Sequence, residues 1–526
     1  MRMGPSLTEP LPLRRADLIA RIRSAGAFDV AIIGGGATGL GVALEACLRG
    51  YRTVLLEGCD FAKGTSSRAT KLLHGGVRYL AQGQVGLVRE ALRERRRVLA
   101  SAPHLASPLR FVLPAYRSLE LGQFAAGLCL YQALAGRSSL GRTSVQLGRT
   151  ALGDEAKLLR PGVKGAVRYW DAQFDDARLA VASARTAVAL DACVINHCAV
   201  EQLTFDSAGR VVGLRAVDCE KGESISIAAR CVVNAAGVWA GRWLDGAGGT
   251  RNEAVQPSQG AHIVVSREFW PSDEALLIPR TSDGRVLFVV PWLGATLIGT
   301  TDHPVDSPAL EPLPMREEVL QILADAAAYL ARPPSEADIQ SVWAGLRPLV
   351  RSRPGAKKAT SALSREHAVV VDDSTLVTVT GGKWTTYRSM GEDVLNHCSR
   401  AGLLPSRTPA PDVRLIGAPM HPVTALCEPA GEHLYGSEAG WLLQLPGGDT
   451  YLAPGFSEAM VRFAVRHEFA RTVEDVLARR SRLLFVDARR ALECGPRVAE
   501  IIGEESDHDP ALAAFQVLAR QYIWRG

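Results

Sequence analysis

The sequence has no CxxC pair and no Cys/His cluster at metal-ligand spacing, although it carries 10 cysteines in 526 residues. The closest two, Cys193 and Cys198, lack neighbouring ligands arranged as a zinc ribbon needs, so a structural zinc centre is not expected. Thiols scattered in this way fit a reducing compartment, where cysteine behaves as a small buried hydrophobe. Charge excess is also missing: 60 Lys plus Arg stand against 55 Asp plus Glu, a net charge of +5. That balance does not describe a protein that coats nucleic acid. No stretch reaches the roughly 18 uninterrupted apolar residues of a spanning helix. The richest one, Leu119 to Ala135, is broken by Glu120, Gln123 and Gln132 and contains two glycines, Gly122 and Gly127. At the N-terminus Pro5, Pro10 and Pro12 occupy the place of an apolar signal region, so a secretory signal is not expected. Internal repeats and low-complexity tracts are absent.

What is present is an ordinary folding composition, 47% hydrophobic and 22% charged, which excludes wholesale disorder. At roughly 150 residues per domain the length suggests two to four domains. Arg14 to Ser24 reads as a short helix with Leu18, Ile19 and Ile22 on one face, a lead-in packed on the first domain. Phe28 to Ile33 is a β-branched run typical of a buried parallel strand. It enters Gly34-Gly-Gly36-Ala-Thr-Gly39, then a helical stretch to Arg49, a stop at Gly50 and a second strand, Thr53 to Leu56. With 50 glycines in the chain the bare glycine spacing carries little weight. The strand before it, the helix after it and Glu57 closing the next strand make it a dinucleotide-binding unit. Gly34 permits the tight turn, Gly36 admits a pyrophosphate, and Gly39 lets helix pack on strand. The Glu57 carboxylate suits ribose hydroxyls and favours FAD or NAD over NADP.

Further strands are expected at Cys231 to Asn234 and Thr375 to Thr380. A second sheet is expected from Ala261 to Val265, Val286 to Val290 and Thr296 to Ile298. Pro-rich breaks bracket a helix from Glu317 to Leu330, and beyond Ser457 the pattern is helical and Arg-rich. Arg89 to Arg97, with Glu90 and Glu94 interleaved, reads as a salt-bridged helix face. Arg462, Arg466, Arg471, Arg479, Arg480 and Arg482 form either a solvated face or a surface toward anionic lipid.

Downstream of the glycine loop lie Gly64-Thr-Ser-Ser67 and Lys71-Leu-Leu-His74-Gly-Gly76-Val-Arg78-Tyr79-Leu80. The stretch from Asp29 to Leu80 resembles the FAD-dependent glycerol-3-phosphate dehydrogenases of the bacterial aerobic type, whose hallmark is a GTSS segment followed by KLxHGGxRYL. The resemblance continues through Asn234 to Trp239, Gly260 to Val264, Ile298 to Asp302, Gly345 to Leu349, Ser364 to His367 and Gly381-Gly-Lys383-Trp384-Thr-Thr-Tyr387. It reaches, more weakly, His467 to Arg480. Trp384 departs from the family, which has a smaller aliphatic side chain there.

The resemblance implies an α/β fold (α+β overall): a Rossmann-like FAD-binding domain interrupted by an antiparallel-sheet substrate domain, plus a helical C-terminal domain. The expected segments are 1–27 as lead-in; 28–105, 165–250 and 345–400 for the FAD domain; 106–164 and 251–344 for the substrate domain; and 401–526 for the helical domain. It implies FAD contacts at Gly34, Gly36, Thr38, Gly39, Glu57, Thr65, Ser66, Ser67, Lys71, His74, Gly237, Gly381, Gly382, Lys383 and Thr385, and no metal. Substrate contacts are expected at Arg78, Tyr79, His262, Arg347, Arg365 and Lys383, with His262 and Arg347 catalytic. The cations suit sn-glycerol 3-phosphate, which carries close to two negative charges.

The implied activity is oxidation of sn-glycerol 3-phosphate to dihydroxyacetone phosphate, with electrons passed through FAD to a membrane quinone. An oxidase using O2 is the sibling reading, but the oxidases carry a mid-chain insertion for which the spacing from Gly260 to Lys383 leaves no room. A non-catalytic flavin-binding electron-transfer module is the reading from a different class, and the phosphate-binding cations argue against it. The expected setting is cytoplasmic, peripheral on the inner face of the cell membrane, with no nucleic-acid partner; a homodimer is compatible with it.

Overall fold

The run Phe28–Ile33 is the inner strand of an eight-stranded sheet in the computed structural model, which describes residues 9–81, 83–243, 255–350, 367–409, 411–420 and 425–526. Its neighbours run parallel in the order Val377–Thr380, Glu223–Asn234, Phe28–Ile33, Thr53–Leu56 and Cys193–Ile195. Val30, Ala31 and Ile32 are fully buried, as a strand covered on both faces requires. Glu223–Asn234 changes partner along its length. Glu223 to Ala228 pairs antiparallel with Val211–Asp218, and Ala229 to Asn234 pairs parallel with Phe28 to Ile33.

Two glycines make the first crossover possible. Gly34 has φ +106°, and a Cβ there would lie 2.7 Å from the Ala235 carbonyl oxygen. A Cβ on Gly39 would lie 1.9 Å from the Gly34 oxygen, so no other residue lets helix Ala37–Leu48 sit this close to the strand.

The second sheet has ten strands and is largely antiparallel. Val255–Ser266 pairs with Ala295–Gly299 on one side and Ile339–Val350 on the other. Ala106–Ala115 pairs with Gly165–Phe174 along its length. Sheet membership therefore differs from two expected segment limits. Gly165–Phe174, assigned to the first domain, belongs to the second sheet, where it pairs antiparallel with Ala106–Ala115. The limit at 345 falls inside strand Ile339–Val350, where Gly345 is paired with Gly260 rather than marking a break. The expected helices are present at Arg15–Ser24, with Leu18, Ile19 and Ile22 buried, and at Arg316–Ala327.

Helices Glu458–His467, Ala488–Glu505 and Leu512–Tyr522 form the C-terminal region. Its arginines form neither of the surfaces expected. Arg479, Arg480 and Arg482 are buried, Arg462 and Arg466 pair with Glu505, and Arg471 pairs with Glu220. Arg95, expected on a salt-bridged helix face, is likewise buried against Asp171 at 2.6 Å. Composition shows the charges but not the distant acids that draw them inward.

Asp60, fully buried, accepts from Arg479, from Arg480 and from Asn196 Nδ2 at 2.9 Å. Asp60→Ala leaves two buried guanidinium groups without this partner and should cost ~3–5 kcal/mol. The urea midpoint measures it, and a midpoint equal to wild type would show that the network is dispensable.

Candidate active site

Both sheets contribute to one cavity of about 1290 Å³. Its first wall is the strand–glycine–helix unit: Gly34, Gly36, Ala37 and Thr38 face it, and Glu57 stands at the end of Thr53–Leu56. The Ala37 N–H donates to Ser66 Oγ at 2.9 Å, which ties the first turn of helix Ala37–Leu48 to the Gly64–Ser67 segment. Glu57 accepts the Gly35 N–H at 2.6 Å and the Cys59 N–H at 2.9 Å. Burial pushes its carboxyl up, and those two bonds oppose the rise. Gly381 and Gly382, at φ +76° and +83°, turn the chain along the same cavity before Lys383 and Thr385.

The second wall comes from the antiparallel sheet. Register sets Ser258 opposite Arg347, Gly260 opposite Gly345 and His262 opposite Trp343, so alternate side chains share one face. Gly260 leaves the room that Arg347 fills: a Cβ there would lie 2.3 Å from Arg347 Nη2. Arg347 donates to Thr300 Oγ1 and to the Thr301 oxygen, both at 3.0 Å, and pairs with Asp302 at 3.2 Å. Asp302 also lies 3.6 Å from Arg285. His262 stacks on Trp343 with ring centroids 4.1 Å apart, and its Nε2 lies 3.0 Å from Thr70 Oγ1. Burial holds this histidine well below 6.5, and the nearby Lys71 and Arg347 cations lower it further. Both effects favour the neutral ring. Lys383 Nζ lies 3.9 Å from the Tyr79 ring centroid, completing a cationic face toward the cavity.

A third, largely apolar end is built by Leu80, Leu87, Phe124, Leu128 and Leu130, with Gln123 among them. Of the expected site residues, Gly34, Gly36, Thr38, Glu57, Thr65, Ser66, His74, Tyr79, Gly237, His262, Arg347, Gly381, Gly382, Lys383 and Thr385 line the cavity. Gly39, Ser67 and Lys71 do not. Gly39 packs helix on strand, and the Ser67 oxygen accepts from Lys71 at 2.7 Å and from Arg482 at 2.8 Å. The Lys71 amine is buried against Asp176 at 2.7 Å, and burial pulls it down to about 7. Arg78 lies on helix Val77–Ala81, but its side chain falls outside the description; Arg365 lies outside the described residues.

Sequence reasoning missed Thr70, Thr300, Asp302, Arg285 and Trp343. Thr300 and Asp302 sat inside a matched motif, Ile298 to Asp302, whereas Thr70 and Trp343 gave no local signal. The unusual Trp384 has a definite place: its Nε1 donates to the Ser66 oxygen at 2.7 Å.

Comparison with known proteins agrees with this geometry. A family described as FAD dependent oxidoreductase matches residues 29–388, and the C-terminal domain of alpha-glycerophosphate oxidase matches residues 432–512. The mitochondrial glycerol-3-phosphate dehydrogenase of Bos taurus is 37% identical over 99% of this chain and 76% of its own length. That of Schizosaccharomyces pombe is 33% identical over 97% of this chain and 89% of its own. The chain belongs to the FAD-dependent glycerol-3-phosphate dehydrogenases. Its cofactor is FAD. The glycerol-3-phosphate dehydrogenase of Bacillus halodurans, solved with FAD, superposes with a TM-score of 0.74 at 27% identity, covering 97% of each chain. L-alpha-glycerophosphate oxidase from Mycoplasma pneumoniae shares the fold, with a TM-score of 0.54 at 15% identity over 74% of this chain and 97% of its own.

Proposed function

We propose that this glycerol-3-phosphate dehydrogenase oxidises sn-glycerol 3-phosphate at C2 to dihydroxyacetone phosphate and delivers the two electrons to a membrane quinone. The observation that carries the reading is the meeting, in one cavity, of a dinucleotide cradle, a buried histidine and a cationic face. The cradle fits FAD. Gly34, Gly36 and Thr38 open the helix N-terminus to a pyrophosphate, while Glu57, Thr65, Ser66, Gly237, Gly381, Gly382 and Thr385 line the rest of its length. When bound, FAD supplies the two-electron acceptor for the hydride that leaves C2.

The protein's own residues do the remaining work. Arg347 and Lys383 hold the phosphate by charge-assisted bonds, with Tyr79 fixing the lysine and Asp302 fixing the arginine fork. We assign Arg78 and Arg365 to the same phosphate. His262, held between Trp343 and Thr70, takes the C2 hydroxyl proton at Nε2. Stacking on Trp343 and the contact with Thr70 fix the direction of that ring, so the C2 hydroxyl must come to it.

The electron exit lies at the apolar end. Helix Ser118–Ala135 buries only Leu121, Leu128 and Tyr131. Leu119 is 74% and Leu130 51% exposed, and Leu147 on the strand Ser144–Leu147 is 73% exposed. Arg117, Arg137, Arg142 and Arg149, next to this helix and strand in sequence, are exposed as well. Exposed leucines and exposed arginines in one stretch of chain suit anionic lipid, and no helix among the described residues is long and apolar enough to cross a membrane. Because Leu130 also lines the cavity, a lipophilic quinone would reach the site from that surface. The basic C-terminal stretch plays no part in this reading, since its arginines are buried or paired.

Three outcomes test the proposal. Arg347→Ala should raise KM for glycerol 3-phosphate by roughly 30-fold or more, from the ~2–5 kcal/mol of a desolvated charge pair, with FAD content near wild type. An unchanged KM removes Arg347 from the phosphate site. The enzyme limb of kcat/KM, corrected for ionisation of the substrate phosphate, should fall well below pH 6.5, because His262 stays neutral down through that value. A limb at pH 6.5 that His262→Asn abolishes would show instead a solvated, ordinary histidine. Finally, the double variant Leu119→Glu, Leu147→Glu should lose sedimentation with anionic vesicles and at least tenfold of quinone reduction, while reducing a water-soluble dye normally. Stoichiometric peroxide formed by a fully soluble enzyme would point to an oxidase.

A further inference from the structure

The helix Ser118–Ala135 is built outward, yet one of its few inward side chains is polar and fully enclosed. Tyr131 is buried, and its hydroxyl accepts the Gly75 N–H at 2.8 Å and donates to Asp171 Oδ2 at 2.8 Å. Asp171 is itself buried and held by Arg95 Nη1 at 2.6 Å. A phenol between a buried carboxylate and a backbone N–H fills a donor and an acceptor role at once, which no apolar residue of the same shape can do.

The loop it grips leads to the active site. Gly75 has no side chain because a Cβ would lie 2.5 Å from the Tyr131 hydroxyl and 2.8 Å from Leu92. Gly76, at φ +79°, turns the chain, and a Cβ there would lie 2.2 Å from the Tyr79 ring. The Tyr79 N–H donates to the Gly76 oxygen at 2.8 Å, and the Tyr79 ring carries Lys383 3.9 Å from its centroid. His74, Gly76, Tyr79 and Lys383 all face the cavity. A continuous set of contacts thus runs Arg95–Asp171–Tyr131–Gly75 and through the tight turn to Tyr79 and Lys383.

We infer that Tyr131 is a positioning residue: its hydroxyl locks the His74–Gly76 turn to the surface helix, so that the seating of this helix on lipid sets the placement of Tyr79 and Lys383. The lipid part rests on the membrane reading above; the positioning part does not. Displacing the helix moves the hydroxyl that accepts the Gly75 N–H and donates to Asp171.

The experiment uses full-length holoenzyme and Tyr131→Phe, which keeps the ring and removes the hydroxyl. Expected are retained FAD, a KM for glycerol 3-phosphate raised at least fivefold with a water-soluble dye as acceptor, and faster hydrogen exchange in peptides covering 72–80, while Phe28–Ile33 stays protected. Equimolar phosphatidylcholine and phosphatidylglycerol vesicles should shift the wild-type flavin absorbance; Tyr131→Phe should bind them equally and show no shift. A variant with wild-type KM and exchange overturns the positioning role. Loss of protection throughout the chain overturns it too, since Tyr131 would then be a general core stabiliser. Wild-type enzyme that binds vesicles with no flavin response overturns the lipid coupling alone. Wild-type enzyme that fails to bind them rejects the membrane reading, and KM and exchange still decide the positioning role.

Discussion

Everything at the cofactor end of this molecule hangs on a set of buried ion pairs. Asp176 accepts from Lys71 at 2.7 Å, from the Ala69 N–H at 3.0 Å and from Arg482 at 3.1 Å, and all three charged side chains are fully buried. Nearby, Asp60 takes both Arg479 and Arg480. The cost of desolvating these charges is offset because each meets a partner of opposite sign, and the cations also donate to carbonyl oxygens such as that of Ser67. The result joins three pieces far apart in sequence: the segment after the glycine loop, the start of helix Asp176–Ala189, and the C-terminal arginines. Arg482 is held at φ +64°, a left-handed conformation costly for a residue other than glycine, and Phe485 and Trp292 pack on its guanidinium.

This brace explains why the C-terminal region belongs to the active-site architecture without touching the cavity. It reaches the Thr65–Ser67 turn from behind, through the Ser67 carbonyl, while Trp384 holds the Ser66 carbonyl from the other side. A turn gripped by both carbonyls leaves Ser66 Oγ fixed for the helix N-terminus. The antiparallel sheet meets this turn directly: Thr65 Oγ1 donates to the Leu346 oxygen at 2.6 Å, next to Arg347. The cofactor side and the substrate side are therefore one hydrogen-bonded unit rather than two walls that happen to face each other.

The parts legible in the sequence were those with local signals. Phe28 to Glu57 carries strand period, glycine turn, helix and closing acid within thirty or so residues, and it folds that way. His262 and Arg347 are eighty-five positions apart; only strand register brings them together, so their meeting was accessible through family resemblance and not through spacing. The arginines after Ser457 were misread because charge predicts exposure unless the distant acids are known, and Asp60, Asp175 and Asp176 lie hundreds of residues upstream. Lys71 and Ser67 sit in a motif beside cofactor ligands but point to the brace, a distinction that motif position does not encode. Leu119 to Ala135 gave the converse lesson. Its apolar character was plain, and too short and broken to span a membrane, yet only the fold showed that its apolar face is left uncovered.

The electrostatics of the substrate end follow from the same economy of charge. His262 shares its neighbourhood with two cations, Arg347 at the cavity and Lys71 on the far face of Trp343, 4.8 Å from that ring's centroid. In the empty site these oppose protonation, as burial does. On the proposed placement of the phosphate at Arg347, a substrate with close to two negative charges would cancel much of this opposition and raise the proton affinity of His262. A neutral, buried base that becomes more basic on substrate binding needs no pre-existing acid nearby to tune it, and Asp302 is free to serve the arginine instead. If Arg347 holds the phosphate and His262 takes the proton, as proposed, the two groups are coupled through space, and a neutral substrate analogue would engage neither fully.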